Sequence, residues 1–205
     1  RYLEMVRRTV RRYAHDERIF CWNVMNEPGI TIGDRTIELL RVLFDTVRRE
    51  DPDQPLCADI WHSIKNGKIA TQAEQVGLEL SDVISFHSYG SYPKVVAEID
   101  FLRRFNRPLF LTEWLHRINH NTVQEIYPLL YITKVSGYCW GFVVGKTQTN
   151  EPWDVMWEQW DRGEDHGYDF TKWQHDLFRP NLRPYDPREI ELIENFNRLA
   201  EAKKR

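Results

Sequence analysis

The chain has only three cysteines, Cys21, Cys57 and Cys139, and no two of them form a C-x-x-C pair. A disulfide framework is therefore not expected, and each thiol reads as a small apolar residue in an apolar run. Long hydrophobic stretches are also missing. No run approaches the ~20 residues needed to cross a bilayer, so no membrane partner is expected. No N-x-S/T sequon and no H-E-x-x-H occurs, and no H-x-H ends a strand, so the seven histidines carry no metal-hydrolase signature. Charge of one sign is lacking as well. With 28 basic and 31 acidic residues the net charge is −3, which gives no overall basic field for nucleic acid. Arg7, Arg8, Arg11 and Arg12 cluster locally, but they alternate with Val6, Val10 and Tyr13 as the solvated face of a helix does.

Other properties are positive. The 205 residues, 41% of them hydrophobic and 13% aromatic, suffice for one sizeable core but not for two full domains. The eight tryptophans serve either as core or as flat faces on which sugars stack.

Periodicity divides the chain into alternating elements. Residues 2–15 read as a helix, with Leu3, Val6, Val10 and Tyr13 at helical spacing. Ile19 to Asn26 reads as a first strand. Gly33-Asp34 offers an N-cap for a helix to about Glu50, with Ile37, Leu40, Phe44 and Val47 on one face. Leu56 to Trp61 is a second strand, followed by an irregular stretch and a short helix near 70–78. Asp82 to Tyr89 is a third strand, Pro93 to Phe105 a helix, and Leu109 to Trp114 a fourth strand. Asn121-Thr122 caps a helix to about Val135, bent at Pro128, and Gly137 to Val144 is a fifth strand. Residues 145–186 lack sustained periodicity and read as a long loop of the functional kind. Pro187 opens the last helix at its favoured first-turn position.

Strict alternation of strand and helix implies a parallel sheet with helical crossovers. The absence of a Gly-rich phosphate loop after any strand lowers the case for a doubly wound sheet. In a (β/α)8 TIM barrel the reactive residues lie at the C-terminal ends of the strands. Asn26, Glu27, His87, Tyr89, Glu113 and Trp140 all fall at such ends. Five strands do not close a barrel, so the expected architecture is α/β, strands four to eight of a (β/α)8 barrel. On that reading residues 1–205 form the C-terminal part of one catalytic domain, with 145–186 as an active-site loop. About three strands are expected upstream, supplied by an N-terminal segment or a second chain. Compartment is left open, secreted or cytoplasmic.

Two glutamates, Glu27 and Glu113, each end a β-rich run, and two such carboxylates are the minimum equipment for cleaving a glycosidic bond. Four motifs surround them in order: Asn26-Glu27-Pro28, Phe86-His87-Ser88-Tyr89, Thr112-Glu113-Trp114 and Cys139-Trp140-Gly141. Together they resemble the retaining glycoside hydrolases of clan A, most closely family 5, the cellulases, mannanases and relatives. The likeness covers nearly the whole chain.

The resemblance implies a retaining β-glycosidase with a carbohydrate substrate and no cofactor or metal. Glu27 is then the acid/base and Glu113 the nucleophile. Their carboxyls would lie about 5–5.5 Å apart, as retention requires. Asn26 would bond the sugar 2-hydroxyl, and Tyr89 would donate to Glu113. His87 has the same strand parity as Tyr89 and faces the same side. Trp140 would form the floor under the sugar, and Trp114 is either a second aromatic contact or core. Lys146, Gln148 and Trp153, in the loop leaving the catalytic end, line the cleft or are simply solvated. The family also uses an arginine and a histidine from earlier strands, which would lie before Arg1. The alternative is a non-catalytic or degenerate carbohydrate-binding barrel piece.

Overall fold

Strand and helix alternate along the chain as the periodicity requires. The computed structural model describes residues 1–62, 64, 67–164 and 166–203. The chain divides into two units, Arg1–His87 with Asp100–Phe110, and Ser88–Ile99 with Leu111–Arg205.

The first unit contains α1 (Tyr2–Tyr13), β1 (Trp22–Asn23), α2 (Ile37–Arg48), β2 (Leu56–Cys57), β3 (Asp59–Ile60), α3 (Gln72–Leu80) and β4 (Ile84–His87). Leu40, Phe44 and Val47 recur at helical spacing, and all three face a buried cluster with Val10, Leu56, Ala58 and Val76. Burial of each large side chain contributes roughly 1.5–3 kcal/mol. β1 pairs with β2 in parallel, Trp22 opposite Leu56 and Asn23 opposite Cys57. β3 pairs with β4 in parallel, Asp59 opposite Ser85. The Ile84 N–H donates to the Pro108 carbonyl at 2.9 Å. The arginines of α1 are solvated, as expected, with Arg11 reaching Glu50.

The second unit takes most of α4 (Tyr92–Leu102), the end of β5 (Leu109–Glu113), α5 (Val123–Thr133), β6 (Ser136–Gly137), α6 (Asp154–Asp161) and α7 (Pro187–Ala202). The Ser88 N–H donates to the Glu113 carbonyl, the Tyr138 N–H to Leu111 and the Trp140 N–H to Trp114, each at 2.9 Å. α5 packs on α7 through Tyr131 and Phe196, with ring centroids 5.1 Å apart. Arg117 and Glu189, each 3% exposed at the side chain, form a bidentate pair at 2.8 and 2.6 Å. Arg117 also donates to the His175 and Asp176 carbonyls. The guanidinium thus makes four hydrogen bonds, two of them within its ion pair, the kind of compensation a buried charge requires.

Several expectations need correction. The strands are shorter than their apolar runs. Regular pairing covers Trp22–Asn23 rather than Ile19 to Asn26, and the second run breaks at Ala58 into β2 and β3. The fifth run pairs regularly only at Ser136–Gly137. Alternating hydrophobicity reports burial, whereas a ladder also needs a partner backbone at each step. Asp34 does not cap α2. It lies in a 3-10 turn, Gly33–Thr36, and its carboxylate accepts the Ala73 N–H. Asn121 caps no helix either. Its Oδ1 accepts the Leu115 N–H, and its amide donates to the Ser88 and Gly90 carbonyls. The stretch 145–186 is not all loop, because it contains α6. Only Met156 of that helix is buried, so no apolar stripe announces it. Pro187 does open α7, where the Asp186 side chain accepts the Arg188 N–H.

Candidate active site

Glu27 follows β1 in a tight turn. The last ladder bond is Val24 N–H to the Cys57 carbonyl, 2.9 Å. The Asn23 side chain then accepts the Met25 N–H, and the chain turns. Glu27 adopts a left-handed backbone, φ 42°, and Gly29 follows at φ 91°. A non-glycine residue there carries local strain, a feature that gathers at functional sites. The turn is held from outside by the Trp61 indole N–H, which donates to the Pro28 carbonyl at 3.1 Å. Asn26 is exposed on this turn, while Glu27 is half-buried.

Glu27 Oε1 lies 2.8 Å from Nδ1 of His87, the last residue of β4. The other nitrogen of His87, Nε2, lies 3.5 Å from Asp59 Oδ1. Asp59 is buried and receives two bonds from the Asn23 amide, at 2.8 and 3.0 Å, and one from the Ser85 hydroxyl. Burial pushes the Asp59 carboxyl up. Hydrogen bonding to His87, the His87 charge, and the Ser85 and Asn23 donors outweigh that, so the net shift is downward. Asp59 was missed in the sequence. The only signal was a carboxylate inside the otherwise apolar run Leu56-Cys57-Ala58-Asp59-Ile60.

In the second unit Glu113 is the last residue of β5, and the Tyr89 hydroxyl donates to its Oε2 at 2.7 Å. The Tyr89 ring is held edge-on by Trp153, 5.3 Å away, and by His116, 5.9 Å away. His175 packs on it at 5.3 Å. Burial, and then the His175 charge, lowers His116 to about 3. Burial likewise lowers His175 to about 4. Both rings are neutral at ordinary pH, so Tyr89 sits among uncharged groups that leave its hydroxyl to Glu113. The two histidines were not singled out in the sequence.

The remaining expected residues separate by exposure. Trp140 is 44% exposed and Trp153 42% exposed. Lys146 and Gln148 are exposed in a turn, where the Gln148 N–H donates to the Gly145 carbonyl. Trp114 is 1% exposed, beside Tyr127 and Leu130, which is the core placement of its two expected ones. Gly141 follows Trp140 at φ 84°, and a Cβ there would lie 2.4 Å from the Asp176 nitrogen. Only glycine fits that backbone approach.

No protein-family model matches the chain, and no curated protein matches it at significance. Solved structures do. A β-D-glucuronidase from Dictyoglomus thermophilum is similar over 95% of this chain and 34% of its own, at 16% identity and a TM-score of 0.60. A β-glucuronidase from Ruminococcus gnavus gives 95% and 36%, also at 16% identity, with a TM-score of 0.57. A mutated endo-β-1,4-glucanase from Xanthomonas axonopodis pv. citri covers 96% of this chain and 65% of its own, at 11% identity and a TM-score of 0.62. These neighbours are glycoside hydrolases, and the likeness is one of fold, mixed α/β with parallel strands. The chain spans about a third of the glucuronidases' length.

Proposed function

We propose that this chain is the C-terminal part of a (β/α)8 barrel that cleaves β-linked bonds of a poly- or oligosaccharide with retention of configuration. One observation carries the reading. Each of two carboxylates, Glu27 in the turn after β1 and Glu113 at the end of β5, has its own partner at or just past the end of β4, His87 for Glu27 at 2.8 Å and Tyr89 for Glu113 at 2.7 Å. The fold likeness to solved glycoside hydrolases supports it.

In this mechanism Glu113 is the nucleophile. The Tyr89 hydroxyl favours its ionised form and aims one oxygen, leaving the other to attack the anomeric carbon. Glu27 protonates the departing oxygen as the C–O bond breaks and a glycosyl ester forms on Glu113. Water then attacks the same anomeric carbon, giving its proton to Glu27 as the bond from that carbon to Glu113 breaks and Glu113 leaves as carboxylate. The carboxyls would lie about 5–5.5 Å apart. Asn26 bonds the 2-hydroxyl, Trp140 offers an exposed ring to the sugar face, and Lys146, Gln148 and Trp153 line the cleft. β-Glucuronides and β-1,4-glucan, the substrates named for the neighbours, are the first classes to screen, with aryl β-glucosides and β-galactosides beside them.

Replacing Glu113 by Ala is expected to lower kcat by at least about a thousandfold while sugar affinity persists. The first product from a β-linked substrate is expected to be the β-anomer by proton NMR. An α-anomer first would mean inversion and would overturn the double displacement. A second reading, a carbohydrate-binding piece without turnover, follows from the partial span of the neighbours. It predicts sugar binding with no hydrolysis in the unaltered chain.

A further inference from the structure

Glu27, His87 and Asp59 form a carboxylate–imidazole–carboxylate chain wholly within the first unit. Its far end is a buried anion. The Asp59 side chain is fully inaccessible, and Asn23 and Ser85 supply three donors to it. Such a set suits a carboxylate and not a carboxylic acid, since every neighbour offers hydrogen. His87 Nε2 therefore faces an anion and carries a proton, because a lone pair there would meet negative charge. Nδ1 then meets Glu27 with one proton between them, at 2.8 Å. That proton sits on Glu27 with His87 neutral, or on His87 with Glu27 ionised. The two forms have the same net charge, so the pair titrates as a unit.

We propose that Asp59 is a positioning residue that fixes the Nε2–H form of His87 and keeps a shared proton on the Glu27–His87 pair. Rested on the glycosidase reading, this makes Asp59 the reason the acid stays loaded between cycles. The anion favours both proton-bearing forms over the deprotonated pair, so it raises the pair's hold on its proton. The register supplies the geometry. Asp59 stands opposite Ser85, and His87 lies two residues on from Ser85, on the same face of β4. Among the described residues the thiols of Cys57 and Cys21 also feel the Asp59 charge, Cys57 from the preceding strand. The Cys57 thiol is pushed up by the contact with Cys21, 3.4 Å away, and by burial, and stays neutral.

The test is nitrogen-15 NMR of the imidazoles, with His87 assigned by its loss in His87→Gln. The unaltered chain is expected to hold Nε2–H across the neutral range. Asp59→Asn removes the anion and lets an amide donate to Nε2, so the Nδ1–H form should appear and the pair's titration midpoint fall by about one unit or more, tenfold in proton affinity. Asp59→Glu should restore the midpoint. Nδ1–H in the unaltered chain, or an unmoved midpoint in Asp59→Asn, overturns the proposal. The first of these is read on the unaltered chain, with His87→Gln needed for the assignment alone. The readout needs no substrate either. A chain that hydrolyses no glycoside yet shows the shift retains the relay and loses the glycosidase reading. A hydrolase whose alkaline limb is unmoved in Asp59→Asn does the reverse.

Discussion

Glu27 carries two demands that conflict at a single residue. Its side chain must reach His87, and its backbone must hold φ 42°, which a non-glycine residue adopts at a cost of about 1 kcal/mol or more. The strain can be measured without the chemistry. Glu27→Ala and Glu27→Gly both lose the carboxyl, and at most positions the alanine form is the more stable. Here the glycine form should unfold later, by about 1 kcal/mol in urea titration. Equal stability, or the usual order, would mean that the turn is unstrained. At this scale the sequence was informative where a carboxylate followed or ended an apolar run, as at Glu27 and Glu113. It was silent where one lay inside a run. Asp59 reads as an interruption of an apolar strand until the register sets it behind His87.

Elements were recognised by periodicity and misjudged at their ends. α3 is instructive because its start was written in the sequence as Thr71-Gln72-Ala73-Glu74. The Thr71 side chain accepts the Glu74 N–H and donates to its carboxylate. Glu74, fully buried, also accepts the backbone N–H groups of Trp61 and His62. One carboxylate thus joins the helix start to the loop that holds the Pro28 carbonyl. Thr71→Ala should cost about 1 kcal/mol, the usual loss for a helix cap. A much smaller loss in chemical denaturation would show that Glu74 holds the loop unaided. Strand lengths were overestimated for a different reason. The run Ile19 to Asn26 reads as one strand, but none of its residues is fully buried, Phe20 is 60% exposed, and regular pairing is confined to Trp22–Asn23.

For the molecule as a whole, the buried imidazoles set a lower limit of pH. His116 and His175 have folded values of about 3 and about 4, against 6.5 for the free side chain. Below about pH 6.5 the unfolded chain takes up protons that the folded chain refuses. Their contribution is therefore fully present above that pH and is lost as the pH falls toward 4. Unfolding free energy measured by urea should drop across this window, and His116→Leu should flatten the slope by about one proton. Parallel slopes in the two proteins would mean that His116 is protonated in the fold.

The sequence by itself determined the alternation of strand and helix, the apolar face of α2, the start of α7 at Pro187, and the strand-end positions of His87 and Glu113. Those follow from local periodicity and from where an apolar run meets a turn, both properties of neighbouring residues. Tertiary structure alone decided which polar groups meet. It set Asp59 behind His87, buried Trp114, and turned Asn121 from a helix cap into a clasp for the loop after β4. Such contacts join residues far apart in sequence. They are fixed by register and by the need to satisfy every buried donor and acceptor, a condition that no local pattern encodes.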